Sequence, residues 1–252
     1  MISNIVKMKE LKDINKHERD SRINFDEENH IYTIDNDKKA KSVTQLISEF
    51  FPKFDKNYWA NNESKKTGEK VENILKRWAE LGDKARNEGT NLHNQIENFY
   101  NEKDYENSPE LEKFMQFHEK FIKSNYEPFR TEWKVFYEEK LLAGTIDMVY
   151  KKSDNDVFLF DWKRSKKLIN SNGEIEKDNP FENCLNGLGH MSSTDYNKYC
   201  LQQNIYKYIL EKKYGIKVSS MNLLVLHPYY NTYHIIKVEE LPLETEYLID
   251  SL

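Results

Sequence analysis

Residues 141–164 read LLAGTIDMVYKKSDNDVFLFDWKR, and the fold turns on how they pair. Two largely apolar runs, 141–151 and 157–164, surround the loop 152–156, Lys-Ser-Asp-Asn-Asp, all turn-type residues. Five residues is a common hairpin loop, so the two runs are expected to be antiparallel neighbours. A hairpin centred on Asp154 puts Asp147 directly opposite Asp161, with Cβ atoms about 4.5–5.5 Å apart. Alternation then sends Asp161 and Lys163 to one face, about 7 Å apart along the strand. Phe158, Phe160 and Trp162 go to the other face, which reads as core.

Like charges face to face destabilise a sheet unless something offsets them. A divalent cation resolves the conflict, because hard carboxylate oxygens at this separation chelate Mg2+ or Mn2+. The cation replaces repulsion with attraction and acidifies a bound water. Lys163 would orient that water or stabilise developing negative charge. The simpler alternative is a solvated face with a structural Asp–Lys pair; the register match brings the metal reading level with it.

Outward from this hairpin, 130–137 (RTEWKVFY) reads as a further strand. It begins near Glu132, which is either an acid behind the metal ligands or a surface charge. Residues 170–194 are polar and rich in Gly, Asn and Ser, and form a long loop. Residues 196–213 form an amphipathic helix whose inner side, Tyr199, Gln202, Tyr206 and Ile209, is more polar than packing requires. Two more strands follow at 220–227 and 232–238. On the N-terminal side, 23–34 reads as a hairpin turning at 26–29. Ser42 with Gln45 three positions later resembles a capping box, opening a helix that Pro52 ends by residue 51. Residues 56–80, 83–100 and 109–124 have helical spacing. His93 and Glu97 stand i, i+4 on one face, either a metal ligand with its neighbour or a surface pair. Gly89 is expected to permit a close backbone approach inside its helix.

The expected fold is mixed α/β, with a central mixed sheet flanked by helices and a helical N-terminal half. No Pro/Gly-rich linker divides the chain, so residues 1–252 are expected to be one domain. Its parts are a lead-in (1–22), a hairpin and helical region (23–125) and a core (126–240). With 252 residues it is long enough for a sizeable core. Thirteen Phe, 16 Tyr and 4 Trp exclude a chain too charged to collapse. Eight Gly and 6 Pro exclude collagen-like and Pro-rich disordered classes. Cys184 and Cys200 alone support neither a disulfide framework nor a four-thiolate metal site. No signal peptide is read at the N-terminus and no apolar run reaches the roughly 18 residues of a membrane span, so the cytoplasm is the expected compartment. The net charge of −5 counts against nucleic acid at first sight. Metal-binding acids raise the acidic count, however, and a groove needs only local positive charge. The run Lys163-Arg164-Ser165-Lys166-Lys167 provides it, with Arg130, Lys198 and Lys207 as additions.

Four motifs occur in order: Gly89-Thr90-Asn91-Leu92-His93, Gly144-Thr145-Ile146-Asp147, Asp161-Trp162-Lys163 and Gln202-Gln203-Asn204-Ile205-Tyr206. Together they resemble the RecB-type exonuclease family of the PD-(D/E)XK nuclease superfamily. Ser42-Val43-Thr44 is similar to the lead-in of this group and of mitochondrial genome maintenance exonucleases. Asn186-Gly187-Leu188-Gly189-His190 is similar to phage and large-virus members. The resemblance covers residues 23–238 and implies a restriction-endonuclease-like core, with a bacterial, phage or viral origin. Ile146 replaces the Pro of the superfamily name, Gln203 stands where an apolar residue is usual, and the cysteines of iron–sulfur relatives are missing.

The resemblance implies Mg2+- or Mn2+-dependent hydrolysis of DNA phosphodiesters, with Asp147, Asp161 and Lys163 catalytic. His93, Asp147, Asp161 and the Trp162 backbone carbonyl would be metal ligands. Gln202 and Tyr206 would lie near the site and the DNA backbone, with Glu97, Glu132, Arg164, Lys166 and Lys167 in support. Trp133, Tyr196 and Tyr199 are available to stack bases. The expected activity is exonucleolytic, on DNA ends or single strands. Partners beyond DNA are a second copy of the chain or a recombination or replication protein, and no membrane is expected. The alternatives are a non-catalytic DNA-binding protein on a nuclease fold and a metal-binding interaction module using residues 56–124.

Overall fold

The computed structural model describes residues 9–170 and 172–252; the first eight residues of the lead-in and Ser171 lie outside the described residues. Its centre is one eight-stranded mixed sheet. The strands are β1 (Ile23–Asp26), β2 (Ile31–Ile34), β3 (Lys38–Ser42), β4 (Glu127–Tyr137), β5 (Leu142–Ser153), β6 (Asp156–Lys163), β7 (Lys217–Val225) and β8 (His234–Lys237). They run β1-β2-β3-β5-β6-β7-β8, with β4 also paired to β5. The β3–β5 and β6–β7 contacts are parallel and the others antiparallel.

Strand β5 positions the site. Strand β4 follows one edge of it from Leu142 to Lys151. The other edge is shared: β3 takes Leu142 and Ala143, and β6 takes Met148 onward. Residues 144–147 lie between these two partners, without a paired strand on that side among the described residues. The β5–β6 pairs Met148↔Phe160, Val149↔Leu159, Tyr150↔Phe158 and Lys151↔Val157 have the register expected from the turn centred on Asp154. A bulge between Lys151 and Ser153 shortens the loop.

The helices are α1 (Leu11–Ile14), α2 (Val43–Ser48), α3 (Lys56–Thr67), α4 (Val71–Tyr100), α5 (Pro109–Phe117), α6 (Asp195–Ile209) and α7 (Pro242–Asp250). The capping box forms: Ser42 Oγ accepts from the Gln45 N–H at 3.0 Å, and Gln45 Oε1 accepts from the Ser42 N–H at 2.9 Å. The expected helices 56–80 and 83–100 divide elsewhere. Gly68, left-handed at φ 74°, ends α3, while Gly82 lies inside one 30-residue helix. Exposed Gly82 costs α4 about 1 kcal/mol without breaking it. Helix α6 is not amphipathic: residues 200–206 are all buried, because it is covered along most of its circumference.

Two apolar clusters enclose the sheet. One joins β4, β5 and β6 to α2, α6 and α7 through Val43, Ile146, Leu159, Ile205 and Leu248. The other joins Met148, Tyr150, Phe160 and Trp162 to α4 and α5 through Leu92, Ile96, Phe114 and Phe117. The long loop packs into the first cluster by Leu188 and Met191, and its backbone pairs Ile169 with Ile175 and Asn183 with Ser192. Cys184 and Cys200 are buried free thiols. Among the described residues, no helix is long and apolar enough to cross a membrane.

Candidate metal centre

The β4–β5 register pairs Thr131 with Met148 and Trp133 with Ile146, which sets Glu132 across from Asp147. Glu132 has φ 44°, a left-handed conformation that costs a non-glycine residue in mid-strand. On the other side of Asp147, its Oδ2 accepts the Trp162 backbone N–H at 2.8 Å. This contact bridges β5 and β6 just where their backbone pairing stops.

Helix α4 brings His93 over this row. Its Nδ1 lies 3.5 Å from Glu132 Oε1 and 3.5 Å from Asp147 Oδ2, and its Nε2 lies 3.0 Å from the Trp162 carbonyl oxygen. One ligand atom from each of His93, Glu132 and Asp147 falls within 4.8 Å of the others. The Leu92 and Ile96 side chains on α4 are buried against the sheet and hold His93 in place. One imidazole and two carboxylates suit a hard or borderline divalent cation.

Asp161 and Lys163 alternate to the α6 side of β6. Lys163 Nζ is 2.5 Å from Asp161 Oδ2 and sits 4.0 Å from the centre of the Tyr199 ring. Asp161 is 1% exposed, and its Oδ2 is taken up by the Lys163 ammonium. The donor set of the three-residue group, one imidazole and two carboxylates, fits a cation.

The electrostatics describe acids held together by protons and cations. Burial pushes the Asp161 carboxyl up to about 7, reinforced by Asp147 and opposed by Lys163. Burial also raises Asp147, against the pull of His93. Burial alone would lower His93, but Asp147 and Glu132 overcome it and lift the imidazole to about 9. Lys163 is likewise raised by Asp161 against its own burial. His93 is therefore an imidazolium at neutral pH.

Several expected residues stand elsewhere. The ligand set implied by the resemblance was His93, Asp147, Asp161 and the Trp162 carbonyl; the structure brings His93, Glu132 and Asp147 within 4.8 Å of one another. Asp161 turns to Lys163, and His93 takes the Trp162 carbonyl. Glu97, one turn beyond His93, is outside the group. Gly89 has no atom near enough to require a glycine, whereas Gly144 does: a Cβ there would lie 2.6 Å from Tyr206 Cε1. Tyr206 and Gln202 are buried, and the Gln202 amide donates to the Tyr206 hydroxyl at 3.2 Å.

The basic run divides too. Arg164 is engaged by Glu88 at 2.9 Å and Glu110 at 2.7 Å, while Lys166 and Lys167 are exposed. Arg130 is buried on Asp20 at 2.8 Å, and Lys207 pairs with Glu240 at 2.8 Å. Lys198 lies over the Phe51 ring. Trp133 and Tyr196 are core, which leaves Tyr199 as the expected stacking residue beside the site. Sequence reasoning undervalued Glu132. The signal that finds it is the pairing of 130–137 with 141–151, which puts it across from Asp147.

No family model and no curated protein matches the chain. Among solved structures it is similar to one titled "Crystal structure of SSO0001", at 15% identity and a TM-score of 0.30, over 83% of this chain and 71% of that one. A likeness at that level says nothing of this site.

Proposed function

We propose that the chain is a Mg2+- or Mn2+-dependent deoxyribonuclease of the RecB-type PD-(D/E)XK class, acting as an exonuclease on DNA ends or single strands. The observation that carries this reading is the convergence of His93, Glu132 and Asp147 within 4.8 Å, next to a buried Asp161–Lys163 pair. The pair supplies one acid and one fixed cation, and the group of three supplies the ligand field. The four motifs in the family's order support the same class.

His93, Glu132 and Asp147 would hold the cation, which would supply Lewis acidity toward a phosphate oxygen and acidify a bound water. For His93 to serve as a ligand its imidazole would have to be neutral, with the Nδ1 proton given up to solvent. The Trp162 N–H fixes the Asp147 carboxylate, so its free oxygen keeps one direction. Lys163, fully charged and held by Asp161, faces negative charge as it develops on a phosphate. Tyr206 packs against Gly144, where a larger residue would push the ring away.

The test compares Lys163→Ala with the wild type. Cleavage of labelled DNA should fall at least about a hundredfold, as for loss of one charge-stabilising group. Mn2+ binding followed by calorimetry should survive. DNA affinity without turnover in the wild type would favour a non-catalytic binding protein.

A further inference from the structure

Strands β6 and β7 are a parallel pair, aligned Lys163 to Val225 and continued by a hydrogen bond from the Leu226 N–H to the Lys163 carbonyl. Ligands of open α/β sheets collect beyond the carboxyl ends of such strands. A cleft of about 480 Å³ lies there, lined by Lys166, Lys167, Ile169, Asn170, Glu176 and Tyr229. One wall is the segment leaving β6 and the other is the turn after β7. The walls are tied by the Tyr230 hydroxyl donating to the Ile169 carbonyl at 3.0 Å. Tyr229 is 71% exposed, on a turn in which its N–H donates to His227 Nδ1 at 3.0 Å.

Two features mark the cleft as an anion site with a stacking surface. Lys166 and Lys167 are exposed and free of ion pairs among the described residues, unlike Arg164. Burial lowers the His227 pKa, and Arg164 and Lys166 add to it against Glu110 and Glu88. Tyr229 stands edge-on to Tyr230, with ring centroids 5.4 Å apart, and presents an exposed ring beside Lys166 and Lys167. Phosphate against lysine and base against exposed aromatic ring is how single strands are bound without sequence preference. Lys166 follows Lys163 by three residues, at most about 10 Å of chain, within reach of a neighbouring nucleotide.

We propose that this cleft binds a nucleotide of single-stranded DNA flanking the scissile phosphate, its base on Tyr229 and its phosphate on Lys166 and Lys167. The inference rests on the nuclease reading and extends it to a substrate-strand subsite. It makes the preferred substrate a single strand, since a base paired in a duplex cannot lie flat on Tyr229.

The experiment measures hydrolysis of an oligothymidylate and of thymidine 5′-(p-nitrophenyl phosphate), which is too short to reach the cleft. Wild type, Tyr229→Ala and a Lys166→Ala/Lys167→Ala double variant are compared with Mn2+. The expected result is a fall of about tenfold in the kcat/KM ratio of oligonucleotide to ester for Tyr229→Ala, arising in KM. The double variant should lower the ratio and flatten its salt dependence by about two phosphate contacts. Tyr229 is largely solvated, so its loss leaves folding intact, which thermal unfolding verifies. A wild-type ratio in both variants overturns the subsite while leaving the nuclease reading standing. Failure of the wild type to hydrolyse either substrate overturns the nuclease reading and the subsite with it.

Discussion

Glu132 and Asp147 lie across from each other on β4 and β5, and a single imidazole nitrogen of His93 is 3.5 Å from a carboxylate oxygen of each. Two buried or half-buried acids on neighbouring strands repel, and the His93 imidazolium offsets that repulsion in the cation-free protein. A divalent cation would replace it with a larger charge and shorter oxygen contacts.

On the proposed nuclease reading, Glu132 joins the residues that would hold the cation and Glu97 stands apart from them. Glu132→Gln should weaken Mn2+ binding at least about tenfold by calorimetry, the size of loss seen when even an outer partner of a metal ligand is removed. Glu97→Gln should bind Mn2+ as the wild type does. Equal affinities for all three proteins would remove Glu132 from the site.

Proton release should accompany metal binding. His93 sits at about 9 and Asp161 at about 7, both above their ordinary 6.5 and 3.8. Raised values mean that the folded state holds more protons than the unfolded one. The contribution of His93 is complete below pH 6.5 and is lost as pH rises through about 9. That of Asp161 is complete below pH 3.8 and is lost as pH rises through about 7. Metal-free protein should then melt several degrees lower at pH 9 than at pH 5. Saturating Mn2+ should restore more stability at pH 9 than at pH 5. A melting temperature that rises with pH in the absence of metal would contradict this.

Arg130 is an anchor for the lead-in. Its guanidinium is buried on Asp20, which also accepts from Trp133 Nε1 at 2.8 Å. Asp20→Ala leaves that charge uncompensated and should cost about 3 kcal/mol in urea unfolding. The salt dependence of DNA binding should be unchanged.

Gly144 is required by Tyr206. An added Cβ would lie 2.6 Å from Cε1 and 2.8 Å from the hydroxyl of Tyr206. Gly144→Ala should therefore cost about 1–3 kcal/mol, the usual range for overpacking. In a Tyr206→Ala background the cost should vanish, giving a coupling energy of similar size in a double-mutant cycle.

What was legible in the sequence follows physical range. The β5–β6 register was readable because five turn-type residues fix a hairpin locally, and the alternation of Phe158, Phe160 and Trp162 agrees with it. The Ser42–Gln45 box was equally local. Strand β3, Lys-Lys-Ala-Lys-Ser, was not readable: its parallel contact with β5 spans only Lys41 and Ser42, so no apolar pattern is needed. Within the site, spacing along α4 favoured Glu97 as the companion of His93. The real companion, Glu132, comes from a strand 39 positions away and depends on a left-handed backbone that no pattern signals. Arg164 likewise read as a free cation until Glu88 and Glu110, both on distant helices, closed on it.

The central claim is tested most directly by hydrolysis of end-labelled single-stranded DNA, comparing wild type with Asp147→Asn at saturating Mn2+ and with chelator. The wild type should release labelled product only with the cation, and Asp147→Asn should be slower by at least about a thousandfold, the upper range for loss of one electrostatic group. Cleavage that survives the chelator, or an Asp147→Asn protein as fast as the wild type, would contradict it.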